Sequence, residues 1–170
     1  MFQRVGFTWD RQMKIFKRIK VILIDKLLLV HFIWMIPKLL MMSIDNLFIT
    51  DQGKLILVET KLWRNPEGHR TVVGQILEYA SRLSEWDFQI LNNKVKNRHP
   101  QNFGIHEITR SAWSNLEYGE IEFESRIQKS LASGEFLLLI VGEKIHPTAT
   151  QLADLIQSKP HLEFKLAFVE

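Results

Sequence analysis

The stretch Ile44–Ser81, IDNLFITDQGKLILVETKLWRNPEGHRTVVGQILEYAS, decides how the rest of the chain is interpreted. Two runs rich in apolar and branched residues, Asn46–Thr50 and Lys54–Leu62, flank the turn sequence Asp51–Gly53. Such runs favour β-strands, and a three-residue loop whose glycine can take the left-handed conformation favours a hairpin. The sequence therefore predicts an antiparallel hairpin that begins near residue 46 and ends near residue 62.

The register of this hairpin brings three ionisable residues together. If Thr50 pairs with Lys54, then Asp45 lies opposite Glu59 on the neighbouring strand, with Cβ atoms about 4.5–5.5 Å apart. Lys61 follows Glu59 by two residues and therefore points to the same face. A two-residue loop would shift the register by one residue and separate these side chains. The convergence thus depends on the length of the loop.

Two carboxylates and one ammonium group at the end of an apolar hairpin suit metal-assisted phosphoryl chemistry. Carboxylate oxygens are typical ligands of Mg²⁺, which keeps several of its waters. A bound ion can polarise a phosphoryl oxygen and lower the pKa of coordinated water, and a nearby lysine can orient that water. The alternative is a surface salt bridge, worth about 0–1 kcal/mol. Glu-x-Lys alone is common, so it is the opposed Asp45 that favours the metal site.

A helix is expected after the second strand. Asn65 followed by Pro66 is a good helix start, a start near Gly68 is equally allowed, and the helix should run to about Glu85. Apolar residues recur along it at helical spacing and predict its buried face. They are Val72, Val73, Ile76, Leu77, Ala80 and Leu83.

Gln75 and Tyr79 lie one turn apart at the margin of this apolar face. A half-buried amide beside carboxylates could hold a ligand, a water or a phosphate, although a polar pair at a helix margin is also common. The order Asp45, then Glu59-Thr60-Lys61, then Gln75-x-x-x-Tyr79 resembles the PD-(D/E)XK nuclease superfamily, most closely its RecB-type branch. The stretch around these motifs is also similar to a group of uncharacterised bacterial proteins of that superfamily.

This resemblance implies a restriction-endonuclease-like α/β fold, in which a mixed central β-sheet is flanked by helices. It also implies a metal-dependent phosphodiesterase site. By the family pattern, Asp45 and Glu59 would hold Mg²⁺ or Mn²⁺, with the Thr60 carbonyl as a further ligand.

The resemblance gives the remaining motif residues separate roles. Lys61 would position or activate the attacking water, Gln75 would support the site, and Tyr79 would pack or hydrogen-bond beside it. We therefore expect a divalent-metal-dependent nuclease that hydrolyses phosphodiester bonds of DNA, with RNA as the second candidate substrate. The alternative is a catalytically inactive nucleic-acid-binding or interaction module on the same scaffold. That alternative is motivated by the residues before Ile44, which do not resemble the amino-terminal element of the family. Ile44 itself also departs from the family motif, which has proline before the aspartate.

Basic and aromatic residues elsewhere could contact nucleic acid. Trp63 and Arg64 directly follow the second strand, where an exposed tryptophan could stack on a base. Lys94, Lys96 and Arg98 form a small basic cluster, and phosphate contacts are made mostly by lysine and arginine. Core packing of the tryptophan and a solvated basic loop are the corresponding alternatives.

The first 43 residues differ in composition from the rest of the chain. They carry 8 Lys/Arg against 2 Asp/Glu, whereas the remaining residues carry 14 against 17. Val21–Met42 is strongly apolar, but charged residues and Pro37 interrupt it, and a membrane-spanning helix needs about 20 apolar residues. We expect a buried helix or strand here and a cytoplasmic protein, and attachment to a membrane through Val21–Met42 is the weaker alternative. The chain is accordingly divided into an atypical segment, 1–43, and a nuclease-like domain, 44–170.

The rest of the sequence supports a single α/β domain. Helices are predicted over residues 87–96 and 120–133, the second closed by Gly134, and a strand covered on both faces over 136–141. A helix capped by Thr148 or Thr150 and ending near Gln157 should precede a last strand over 162–169. The chain of 170 residues is 46% hydrophobic and lacks cysteine, which excludes disordered and disulfide-rich classes and cysteine-ligated metals. The histidine spacing argues against catalytic zinc, and phosphate-binding glycine loops are missing.

Overall fold

The fold is described from a computed structural model, which defines residues 46–61, 68–97, 99–112, 118–142, 145 and 147–169. For residues 61, 68–70 and 112 only the backbone is described. All of these residues belong to one compact unit, His31–Glu170. They form a mixed α/β structure with a four-stranded mixed sheet and five helices. The α/β class and the mixed sheet predicted from the sequence are confirmed.

The described elements alternate between strands and helices along the chain. The strands are β1 (Asn46–Ile49), β2 (Leu55–Lys61), β3 (Phe136–Gly142) and β4 (Lys165–Val169). The helices are α1 (Gly68–Ser84), α2 (Phe88–Lys96), α3 (Ile105–Ala112), α4 (Glu120–Ser133) and α5 (Pro147–Gln157). The first four helices lie between β2 and β3 in the chain, and α5 connects β3 to β4.

The sheet has the strand order β1-β2-β3-β4. β1 runs antiparallel to β2, whereas β2, β3 and β4 are parallel to one another. In the β1–β2 pair, Asn46 lies opposite Val58 and Ile49 lies opposite Leu55. This is the register expected from a three-residue loop, so the predicted pairing is confirmed over the described residues.

The turn of the hairpin is held by Thr50 and Gly53. The Thr50 N–H donates to the Lys54 carbonyl (2.9 Å), and the Gly53 N–H donates to the Thr50 carbonyl (3.0 Å). The Thr50 hydroxyl oxygen also accepts from the Lys54 N–H at 3.0 Å. Gly53 has a φ of +75°, the left-handed conformation predicted for it. These contacts fix the loop length and with it the face to which each β2 side chain points.

The sheet has two buried faces that differ in their neighbours. The helix-covered face shares one hydrophobic core with the helices, and α1 packs directly on β2 and β3. Its apolar sheet residues are Leu47, Ile49, Leu55, Leu57, Phe136, Leu138, Ile140, Leu166 and Phe168. The reverse face is formed by the alternate residues. Its fully buried members on the first three strands are Phe48, Ile56, Val58, Leu139 and Val141. Burial on both faces confirms the prediction for the apolar run of β3.

The helix boundaries agree with the sequence pattern in most places. α1 begins at Gly68, one of the two predicted starts, and Gly134 ends α4 in the left-handed conformation as predicted. The predicted cap of α5 is wrong, because the helix begins at Pro147 and therefore contains both Thr148 and Thr150. Proline is favoured in the first turn because its missing N–H would have no partner there.

The last strand is shorter than predicted. It begins at Lys165, not at Leu162, because its first partner on β3 is Leu137, next to the start of that strand. Continued backwards, the register would put Phe164 opposite Phe136, the first residue of β3, and would put Leu162 and Glu163 beyond the start of that strand. The Leu166 N–H donates to the side-chain oxygen of Gln157 (3.1 Å), which ties the strand to the end of α5.

Helix α3 lies in a part of the chain for which the sequence pattern yields no prediction. The Gly104 N–H donates to the Glu107 carboxylate (2.9 Å), and the Ile105 N–H donates to the Asn92 amide oxygen (2.8 Å). Two N–H groups at the helix start are thereby satisfied. Asn92 lies on α2, so this hydrogen bond at the start of α3 could not be predicted from the residues next to Ile105.

The helices can also be compared with the requirement for crossing a membrane. In the part of the chain that the structure describes, no helix is both long enough and apolar enough to span a bilayer. The apolar stretch Val21–Met42, where membrane insertion was considered, lies outside the described residues.

Candidate metal site at the end of strand β2

Glu59 is a buried carboxylate near the carboxyl end of β2. It is 5% exposed and lies beside Ile140 of the parallel strand β3. Side chains alternate along a strand, so Glu59 points to the same face as Leu55 and Leu57. Burial of a carboxylate in such surroundings is costly unless charges or hydrogen-bond donors compensate for its lost hydration. A carboxylate at this position therefore depends on positive charges or hydrogen-bond donors close to it.

Helix α1 carries two polar side chains on the same side of the sheet. Tyr79 is buried in the core that Leu57 and Ile140 also enter, and Gln75 lies one turn before it. The Gln75 Oε1 atom is buried and has no hydrogen-bond partner in the part of the chain that the structure describes. A buried amide oxygen of this kind can accept from a water or a ligand. The structure thus places the predicted supporting pair on the helix that packs over β2.

The edge of the sheet at which Glu59 lies is also where two helices begin. β2 and β3 are parallel, and each is followed, after a short connection, by a helix, α1 and α5 respectively. In open α/β sheets, ligands bind outside the carboxyl ends of the strands. Neither helix has an acidic residue in its first turn. The positive dipole ends of the two helices favour an anion near this edge.

Several predicted site residues lie outside the described part of the chain. They are Asp45, Trp63, Arg64 and Arg98, together with the side chain of Lys61. Continued by one residue, the observed β1–β2 register would put Asp45 opposite Glu59, but this pair stays a prediction. The Lys61 backbone pairs with Gly142, two positions beyond Glu59 on β2.

Thr60 differs from Glu59 in the face to which its side chain points. It pairs with Val141 and is half-buried, and strand alternation puts its side chain on the reverse face. The role that the resemblance implies for Thr60 involves its carbonyl oxygen, and that role also stays a prediction.

The predicted basic cluster has other contacts. Lys94 and Lys96 lie in the last turn of α2, which packs mainly against α3 and α4. The Lys94 Nζ atom is 4.7 Å from the centre of the Trp86 ring, a cation–π distance. Lys96 is close enough to Glu107 to help lower the pKa of that carboxyl. The Lys94 ammonium group therefore has a partner within the protein, and that of Lys96 lies near a carboxylate.

Asn46 is a buried polar residue that the sequence analysis did not single out. It is 3% exposed, and its Oδ1 atom has no hydrogen-bond partner among the described residues. It lies opposite Val58 on the reverse face and directly follows Asp45 in the chain. An amide at the start of an otherwise apolar strand is the only local signal that could have indicated it.

The described oxygen donors can be compared with what a metal ion requires. No group of three or more His, Asp or Glu side chains that could hold a metal occurs among the described residues. Glu59 supplies one buried carboxylate, and Gln75 supplies a buried amide oxygen whose hydrogen-bonding capacity is unused. An all-oxygen donor set suits Mg²⁺ or Mn²⁺, which keep several waters. The residues fit such an ion if Asp45 supplies the second carboxylate.

Comparisons with known proteins do not assign the chain to a family. No family model, curated protein or solved structure matches it. The resemblance to PD-(D/E)XK nucleases therefore rests on the motifs and their spacing in this sequence.

Proposed function

We propose that the chain is a divalent-metal-dependent nuclease-like protein that hydrolyses phosphodiester bonds of DNA. The observation that supports this most is the burial of the Glu59 carboxylate on the side of the sheet over which Gln75 and Tyr79 lie. The restriction-endonuclease-like core and the cytoplasmic location expected from the sequence are parts of the same proposal.

A cation would explain why a carboxylate is placed in an apolar row. Transfer of an ionised group from water into a protein interior costs several kcal/mol, and a nearby positive charge offsets that cost. Aspartate opposite glutamate at the end of the hairpin would bring two negative charges together, which a divalent ion stabilises. When bound, Mg²⁺ or Mn²⁺ would polarise a phosphoryl oxygen and make coordinated water more acidic.

The chain's own residues would then bind the ion and orient the water at the site. Asp45 and Glu59 would hold the ion, with the Thr60 carbonyl beside them. Lys61 would orient the attacking water or stabilise negative charge that develops on the phosphate. Gln75 would accept a hydrogen bond from a water at the site through its unpartnered Oε1 atom.

The helix arrangement supports an anionic substrate. α1 and α5 begin after the carboxyl ends of neighbouring parallel strands, and neither brings an acidic side chain in its first turn. A phosphodiester backbone carries one negative charge per phosphate and would be attracted to this edge. DNA is the proposed substrate, and RNA is compared with it in the same assay.

The proposal is tested by measuring Mn²⁺ binding with titration calorimetry. The wild-type chain should bind the ion, and the double variant Asp45→Ala with Glu59→Ala should lose that binding. Glu163→Ala is the matched control because Glu163 is exposed and lies on the segment before β4. Unchanged binding in the double variant would refute the site. DNA binding that persists in EDTA without any cleavage would favour the non-catalytic module instead.

A further inference from the structure

The reverse face of the sheet is buried, although the described helices lie elsewhere. Phe48, Ile56, Val58, Leu139 and Val141 are each between 0 and 5% exposed. Every buried apolar side chain of the described helices belongs to the core on the helix-covered face. The side chains of the reverse face are not part of that core. Something other than the described helices must therefore cover them.

The undescribed stretches of the chain differ in length, and their lengths limit which of them can cover the reverse face. Between described residues, the longest undescribed stretches are 62–67 and 113–117, with the sequences LWRNPE and WSNLE. These are short and half polar. Neither can shield apolar side chains distributed over three strands, since neighbouring strands are about 4.8 Å apart. The 45 residues that precede β1 are the one long stretch outside the described part.

The end of that stretch has the required composition. In His31–Met42, HFIWMIPKLLMM, nine of the twelve residues are Phe, Ile, Trp, Leu or Met, and Lys38 is the one charged residue. Three residues separate this stretch from Asn46, where β1 and the reverse face begin.

The length of this stretch is sufficient for the task. Twelve residues span roughly 40 Å when extended and about 18 Å as a helix, and three strands are about 10 Å wide. From the burial of the reverse face, we propose that His31–Met42 packs on it as the inner cover of the sheet. The apolar character of the segment then serves the fold and not a membrane. This inference is independent of the proposed metal site.

The absence of cysteine from the sequence makes a direct proximity test available. Leu137 is a half-buried residue of the reverse face and tolerates a cysteine better than its fully buried neighbours. The full-length chain would carry Leu137→Cys together with one of Phe32→Cys, Trp34→Cys or Ile36→Cys. A short bismaleimide then joins cysteines that lie close together, and peptide mass spectrometry identifies the joined pair.

The matched control uses Leu152→Cys on α5, which packs against the core of the helix-covered face. At dilute protein, at least one pairing with Leu137→Cys should give about tenfold more intramolecular product than the same partner with Leu152→Cys, because proximity raises the effective concentration. Only variants whose circular dichroism and melting curves match the cysteine-free chain are compared.

Labelling of the single variant Leu137→Cys provides an independent second measurement. Its reaction with a maleimide should be slow in the native full-length chain and fast in denaturant. The proposal would be overturned if Leu152→Cys gave as much intramolecular product as Leu137→Cys with the same partner, or more. Products formed only between chains would identify a second copy as the cover. Fast labelling of the native chain that only lipid vesicles suppress would identify a bilayer as the cover. Products formed only between chains, or labelling of this kind, would each overturn the proposal.

Discussion

Glu59 and Ile140 occupy paired positions on the parallel strands β2 and β3. Paired residues of a parallel ladder point to the same face, so the carboxylate stands in the row that Leu55 and Leu57 continue on its own strand. That row contacts the core beneath α1. An apolar side chain would lose less hydration at this position, and the buried carboxylate is therefore the main support for the proposed metal site.

Glu59→Gln should remove the stabilisation that divalent ions give to the fold. A ligand that binds only the native state raises its stability by RT ln(1 + [L]/Kd), about 2.7 kcal/mol when the ligand is at one hundred times its Kd. Thermal unfolding with and without Mn²⁺ measures the effect. The melting temperature of wild type should rise with Mn²⁺, and that of Glu59→Gln should not. A metal-dependent rise of equal size in both proteins would show that the ion binds elsewhere.

Gln75→Met should separate stability from function. The Gln75 Oε1 atom is buried and finds no hydrogen-bond partner in the described ranges of the chain, and such an atom costs about 1–3 kcal/mol that an apolar side chain of similar length would not. Urea unfolding in EDTA should therefore show an increase in the free energy of unfolding of about 1 kcal/mol. Metal-dependent cleavage should fall in the same variant. A loss of stability with unchanged cleavage would mean that Gln75 has a structural role.

Gly53→Ala should destabilise the hairpin. Gly53 has a φ of +75°, and an added Cβ would lie 3.0 Å from the Arg126 Cβ on α4. The left-handed conformation costs a non-glycine residue about 1–2 kcal/mol, to which the close approach adds. Gly74→Ala is the control, because a Cβ there meets open space on a helix and should stabilise by about 0.5–1 kcal/mol. Equal urea midpoints for the two variants would contradict this account of the turn.

Glu107→Gln should remove a pH-dependent contribution to stability. Hydrogen bonds from the backbone N–H groups of Glu107 itself and of Gly104 lower the pKa of the carboxyl, helped by the charge of Lys96 and opposed by burial. A lowered carboxyl pKa stabilises the fold above the unfolded-state pKa, roughly 4.3, and this stabilisation is lost as pH falls through the folded-state value.

The check is a series of urea unfolding curves between neutral pH and about pH 3, below the ordinary glutamate pKa. Wild type should be more stable than Glu107→Gln at neutral pH, and the difference should vanish at the acid end. Glu163→Gln, at an exposed position, serves as the control for general charge effects. A difference that stays constant with pH would contradict the assignment.

Local sequence signals account for much of the fold. The turn at Asp51–Gly53 specified both the hairpin and its register, since glycine at the left-handed position and the strand pattern agree. Gly134 likewise marked the end of α4. Helix α3 escaped prediction because one of its caps, Asn92, is supplied from another helix, and Lys165 starts β4 because of its partner on β3. Non-local partners of this kind leave no periodic pattern in the sequence.

The candidate site could be predicted in part for the same reason. Glu59 and Gln75 stand out as polar residues within apolar periodicity, and the structure places both where α1 covers β2. The unpartnered state of the Gln75 and Asn46 amide oxygens depends on every neighbour in three dimensions. Spacing along the chain could not reveal it.

The most direct test of the central claim is a cleavage assay with linear, circular and single-stranded DNA and with RNA, in Mg²⁺ or Mn²⁺. Wild type is compared with Lys61→Ala, and Lys54→Ala serves as the control because Lys54 is exposed and pairs with Glu135. The account predicts metal-dependent cleavage of DNA that EDTA abolishes, that Lys54→Ala retains, and that Lys61→Ala reduces by about 100-fold or more. Equal cleavage by wild type and Lys61→Ala, or no cleavage by a wild-type chain that binds Mn²⁺, would contradict it.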